Sequence, residues 1–159
     1  MRATKMTMLA AATESEVLAT NEAFYDAFNT RDLPAMEKLW AERAPVVCLH
    51  PGSTALHGRT QVIRSWHAIL SSDGAPRVSV EGTRVVMLGD ISRSGAGAPM
   101  AAMVLCYERV TDPDTGAGAV LAATNVFVRE EGEWRLVHHH SSAIGRITNE
   151  SPEPPKTLN

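Results

Sequence analysis

Little in this chain suggests a covalent or metal framework. Its two cysteines, Cys48 and Cys106, lie in separate apolar runs, "PVVCLH" and "MVLCYE", with no CxxC spacing. Cysteines so placed read as buried reduced thiols. No run of Lys and Arg occurs and the formal net charge is -3. Phosphate backbones are bound by clustered basic residues, so nucleic acid is not the expected partner. Acidic clusters are also absent. No apolar stretch approaches the roughly 18–20 residues of a membrane span, and "MRATKMTMLAAA" lacks the hydrophobic centre of a signal peptide. The expectation is a cytoplasmic protein with no membrane partner. No serine stands in a GxSxG elbow and no phosphate-cradling glycine pattern follows a strand. No cofactor is implied.

What is present reads as one globular domain. The chain has 159 residues, 44% of them hydrophobic and 21% charged, enough to bury a core without staples. Residues 1–12 read as a flexible leader, 13–145 as the folded domain and 146–159 as a polar, proline-rich disordered tail. Thr13 and Glu16 have capping-box spacing. After them Val17, Leu18, Asn21, Phe24, Tyr25 and Phe28 recur at helical spacing, which predicts a helix over 14–29. Asp32 caps a second short helix with Pro34 in its first turn and Met36, Leu39 and Trp40 inward. "APVVCLHPG" is a short strand, and "LHGRTQVIRSWHAIL" is a third helix with Val62, Ile63, Trp66, Ile69 and Leu70 on its apolar face.

From Arg77 the period changes. "RVSVEGTRVVML", "MAAMVLCYERV", "AVLAATNVFVR" and "EWRLVHHHSSAI" are β-rich segments. "TDPDTGAG" and "EEGE" are hairpin connectors, and "SRSGAGAP" is a small-residue loop. The order α-α-β-α-β-β-β-β predicts an α+β fold, with three N-terminal helices packed on one face of an antiparallel sheet. If that sheet curves, an apolar hollow remains under the helices, suited to a small molecule.

Three stretches, "FYDAFNTRDLPAMEKLWAERAPVVCLHPG", "LHGRTQVIRSW" and "TNVFVREEGEWRLVHHHSSAI", resemble the superfamily of SnoaL-like polyketide cyclases, ketosteroid isomerases and nuclear-transport-factor-like proteins. They cover most of residues 14–144, and the last also resembles the association domain of calcium/calmodulin-dependent kinases. The resemblance implies a cone of three helices on a strongly bent sheet, a hydrophobic pocket, and a homodimer through the sheet's outer face. It does not imply one function, since the superfamily holds isomerases, cyclases, dehydratases and members that only bind or assemble.

Ketosteroid isomerases hold an oxyanion with a helix-borne Tyr and a strand-borne acid, and move the proton with an Asp. The matching positions here are Phe24, Asn125 and His50, so all three have changed and that mechanism is not expected. Tyr25 adjoins Phe24 but lies about 100° round the helix. His50 has a side chain suited to proton transfer near neutral pH, and Asn125 can donate to an oxyanion. The residues expected to carry catalysis are therefore His50 and Asn125, with Tyr25, Trp40, Trp66, Val137, His139 and Ser141 lining the ligand pocket. Plain core packing is the competing role for the two Trp residues and Tyr25.

The triple histidine needs a geometric test. Neighbouring strand residues point to opposite faces, so His138, His139 and His140 are poorly placed to share a metal, and none is expected. Strict alternation puts His138 and His140 with Trp134 and Leu136, and His139 with Val137 and Ser141. Comparison with the isomerases turns the second set inward, and a β-bulge after "EEGE" would exchange the faces. The leading expectation is proton transfer on an apolar carbonyl compound. The alternative is a non-catalytic ligand-binding or oligomerisation module.

Overall fold

The computed structural model describes residues 2–88 and 101–144, with side chains from Thr13 onward. The "SRSGAGAP" loop and the polar tail lie outside the described residues. The chain forms α1 (Arg2–Thr30), α2 (Leu33–Leu39), β1 (Val47–Leu49), β2 (Leu56–His57), α3 (Arg59–Leu70), β3 (Arg77–Leu88), β4 (Ala101–Thr111), β5 (Gly118–Glu130) and β6 (Glu133–Ala143). Three helices on one sheet make the expected α+β cone.

Helix α1 begins ahead of its expected start, so residues 2–12 are its first turns and the Thr13–Glu16 pair falls inside it rather than at its N-terminus. Glu16 instead reaches the sheet. Its carboxylate accepts from Trp134 Nε1 at 3.3 Å and pairs with Arg129 at 3.3 Å. The inward stripe of α1 is Thr13, Val17, Asn21, Phe24, Tyr25 and Ala27. Asp32 caps α2 as expected, its Oδ1 accepting from Ala35 N at 2.9 Å, while Val62, Trp66 and Leu70 give α3 a buried edge at i, i+4 and i+8.

The sheet has six strands in the order β2-β1-β6-β5-β4-β3. Strands β3 to β6 form the expected antiparallel meander. Two features differ from expectation. Leu56–His57, expected within the third helix, pairs antiparallel with β1. β1 then pairs in parallel with β6, matching Val47 to His138 and Leu49 to His140, which makes the sheet mixed. A parallel neighbour from ninety residues away leaves no local turn signal, so only the assembled fold reveals it.

Register shifts interrupt both the outer strand β3, between Glu81 and Arg84, and β6, where Val126 pairs with His138 but Phe127 pairs with Leu136. Such irregularities bend and twist the strands that carry them. At the first, Gly82 adopts φ +65° and faces the Tyr107 ring, where a Cβ would come within 3.1 Å of it. Glu130, at the end of β5, holds the segment after α2 by accepting from the backbone N–H groups of Glu42, Arg43 and Ala44. Those three donors keep its carboxyl below the ordinary carboxylate range despite the opposing effect of burial.

Candidate functional site

A cavity of about 180 Å³ lies where all layers meet. α1 supplies Phe24, Tyr25 and Phe28 to its wall, and the end of β1 supplies His50 and Pro51. α3 contributes Trp66 and Ile69, β4 contributes Glu108 and Val110, and β6 contributes His139 and Ser141. The aromatic wall interlocks by edge-to-face contacts, Phe24 on Trp66 at 5.4 Å and His50 on Trp66 at 4.6 Å between ring centres.

The bulge in β6 decides which histidine enters. Val137 is the extra residue, so Trp134 and Leu136 share the buried face with His139 and Ser141. His139 and Ser141 therefore line the cavity. His138 and His140, expected by strict alternation beside Trp134 and Leu136, lie on the other face with ring centres 6.3 Å apart. Val137 is half-buried against the core and is absent from the cavity wall.

Other expected residues separate as well. His50, Tyr25 and Trp66 are in the wall. Trp40 is fully buried but sits in the core, bridged to Leu136 beside β6, and not on the cavity. Asn125 is fully buried one layer behind the wall. Its Nδ2 donates to Asn21 Oδ1 at 2.8 Å and to Tyr25 Oη at 3.2 Å, and its Oδ1 lies 2.7 Å from His139 Nδ1. An amide whose hydrogens are both spent cannot be the oxyanion donor expected of it. It positions His139 instead.

Hydrogen-bond counting extends this chain. Asn125 Oδ1 can only accept, so His139 Nδ1 carries the proton and its Nε2 keeps a lone pair. Tyr25 accepts from Asn125 and donates to Glu108 Oε1 at 2.8 Å. Ser141 Oγ donates to Glu108 Oε2. On the other side of the cavity, Ser65 Oγ donates to the Val62 carbonyl at 2.7 Å, and His50 Nε2 lies 2.9 Å from Ser65 Oγ. With the serine proton engaged, His50 Nε2 is the donor of that pair and Nδ1 is the unprotonated nitrogen.

Burial sets the charges. It lowers the His50 pKa below its ordinary value and takes His139, with help from the neighbouring His50, His138 and His140, down to about 3. Both rings are neutral at pH 7. Burial raises the Glu108 carboxyl, against the opposing pull of the Ser141 and Tyr25 hydrogen bonds. Burial and the adjacent Glu108 also hold the Tyr25 phenol firmly protonated. Cys48 and Cys106 are buried and unpaired, and burial pushes the Cys48 thiol up to about 12. Among the described residues no three His, Cys, Asp or Glu side chains are grouped to hold a metal ion.

Glu108 escaped sequence reading, although a signal existed. It continues the buried face of β4 after Ala102, Val104 and Cys106, and a carboxylate on an apolar strand face is rarely idle. Ser65 and the pairing partner role of Asn21 carried no such mark.

Residues 17–145 match the SnoaL-like domain family model. The chain belongs to the SnoaL-like family. A candidate dehydratase of the NTF2-like family from Streptomyces avermitilis has the same fold, with TM-score 0.74 and 28% identity, covering 86% of this chain and 99% of that one. A candidate calcium/calmodulin-dependent protein kinase type II association domain from Thiobacillus denitrificans aligns with TM-score 0.60 and 31% identity over 80% of this chain and 94% of that one. The F-box protein SKIP8 of Arabidopsis thaliana is 30% identical over 133 residues, 84% of this chain. The SnoaL-like chain spans about half that relative's length (52%). No described helix is long and apolar enough to cross a membrane.

Proposed function

We propose that this SnoaL-like protein binds a small, mostly apolar ring compound in the cavity and that His50 serves as its proton acceptor. The observation behind this is the cavity wall: aromatic and aliphatic side chains surround a neutral imidazole whose partners fix one nitrogen as the acceptor. An engineered cavity of about 150 Å³ accommodates benzene. At about 180 Å³, a single ring with a short substituent, or indole, matches the space, whereas a four-ring steroid does not. His139 is the weaker base, because a group with a pKa near 3 has little proton affinity at pH 7. Without a donor from Asn125, stabilisation of an enolate oxygen is not the strength of this site. Proton removal is. The dehydratase name of one structural neighbour is compatible with such chemistry.

Indole is the test compound. Titrating it should shift the Trp66 and His139 side-chain resonances saturably, and Val110→Phe should abolish that response by filling the cavity. Absence of any saturable shift in the unmodified protein would remove the reading.

A second reading concerns assembly, and a specific surface favours it. Val86 and Leu88 on β3 and Leu105 and Tyr107 on β4 are apolar and 40–48% exposed. Contiguous apolar surface of this kind marks protein contacts. We propose a homodimer through this face, independent of whether the cavity is catalytic. Leu105→Glu should convert the dimer to a monomer in light scattering, and a wild-type protein already monomeric at high concentration contradicts the proposal.

A further inference from the structure

The hydrogens of the cavity wall are nearly all committed within the chain. Tyr25 and Ser141 both donate to Glu108. His139 Nδ1 donates to Asn125 and His50 Nε2 to Ser65. The wall atoms left uncommitted are acceptors: the remaining lone pairs of Glu108, those of Ser141 Oγ, His139 Nε2, and His50 Nδ1, which has Cys48 Sγ at 4.0 Å; the Tyr25 oxygen is already taken by Asn125 and by Cys106 Sγ at 3.3 Å. Among the described residues Trp66 Nε1 is the one wall donor without a partner, and it is buried. Among the described residues the wall holds one carboxyl group and no Lys or Arg. Around it stand the faces and edges of Phe24, Phe28 and Trp66.

We infer that the ligand of this cavity gives hydrogen bonds rather than accepting them, and that it is a small aromatic-sized compound bearing a protonated amine. Resting on the binding reading above, this names the ligand's chemistry. Glu108 supplies the counter-charge and charge-assisted acceptors for the ammonium. The aromatic rings offer their negative π faces, which attract cations most strongly where water is excluded. A carboxylate or phosphate ligand would meet a like charge and a set of lone pairs, with no Lys or Arg among the described wall residues to receive it.

Three matched probes test this: benzylamine, which is protonated at pH 7, benzyl alcohol and benzoate, each titrated calorimetrically into the full chain. Benzylamine should bind about tenfold tighter than benzyl alcohol or better, a difference that a single well-placed charge contact provides. Benzoate should not bind. Glu108→Gln keeps the shape and can still pair with Tyr25 and Ser141, whose hydroxyls rotate, so the variant should fold and bind benzylamine and benzyl alcohol alike, within about threefold. Independently, nitrogen NMR should find His139 protonated at Nδ1.

Equal binding of the amine and the alcohol, or a preference that survives Glu108→Gln, overturns the inference and leaves the binding reading standing. So does a His139 protonated at Nε2, which would reverse the chain and present a donor. Failure of all three probes to bind, with indole also silent, ends both.

Discussion

Replacing His139 with Gln is expected to remove about 3 kcal/mol of acid sensitivity between pH 6.5 and pH 4, since each unit of displaced pKa corresponds to ~1.4 kcal/mol. The ring is 3% exposed and its pKa falls from 6.5 to about 3 in the folded protein. Between those values the unfolded chain takes up a proton that the folded chain refuses. Stability therefore falls as pH falls, because the unfolded state binds more protons. Above pH 6.5 both states are neutral and the effect vanishes; near pH 3 it is complete. Glu108 acts with the opposite sign. Its folded pKa is raised, so the fold gains stability as pH drops through that value. Because Glu108 is present in both proteins, their difference isolates the histidine.

Gln at 139 can still donate to Asn125 Oδ1, but it loses the tilted ring contacts with Phe24 at 5.1 Å and Trp66 at 5.6 Å. At pH 7 the variant should thus be the less stable protein, by about 1–2 kcal/mol. By pH 4 the order should reverse. Urea unfolding at intervals from pH 7 to 4, with slopes checked for constancy, measures the crossing. Parallel curves for the two proteins would show that His139 is protonated as easily folded as unfolded.

The elements of this fold were legible wherever their causes are local. The stripe from Val17 to Phe24 on α1, the Asp32 cap and the hairpins at "TDPDTGAG" and "EEGE" depend on neighbours within a few residues. What escaped depends on distant partners. The parallel pairing of Val47 with His138 carries no local mark. Nor does the extra residue at Val137, which shows only in the pairing of β6 with β5. That bulge decided the face of the triple histidine: alternation alone placed His138 beside Trp134, whereas the shared buried face belongs to His139. The site divides the same way. His50, Tyr25, Trp66, His139 and Ser141 are brought together at the cavity. The role of Asn125 was beyond reach, because its amide is turned by Asn21, 104 residues away, and residue type alone cannot say whether an amide faces a ligand or supports another side chain.

Trp40 provides the other large effect, and its direction distinguishes core from cavity wall. The side chain is fully buried where the end of α2 meets β6, with a backbone bridge from Trp40 to Leu136 and Ala41 N donating to Leu136 O at 3.0 Å. Trp40→Ala should cost about 3–5 kcal/mol, the range for emptying a large aromatic site that cannot collapse. The indole N–H, however, has no partner. Trp40→Phe removes a buried donor whose burial costs ~1–3 kcal/mol, while giving up part of the packing. The two effects oppose, so the net change should stay below about 1.5 kcal/mol. Urea unfolding separates the two variants by several kcal/mol if the Trp40 site is filled core. Indole binding makes a second readout. Since Trp40 is not part of the cavity wall, Trp40→Phe should leave indole affinity unchanged, whereas Trp66→Phe should weaken it. A loss of indole affinity in Trp40→Phe at undiminished stability would return Trp40 to the pocket, where sequence comparison first placed it.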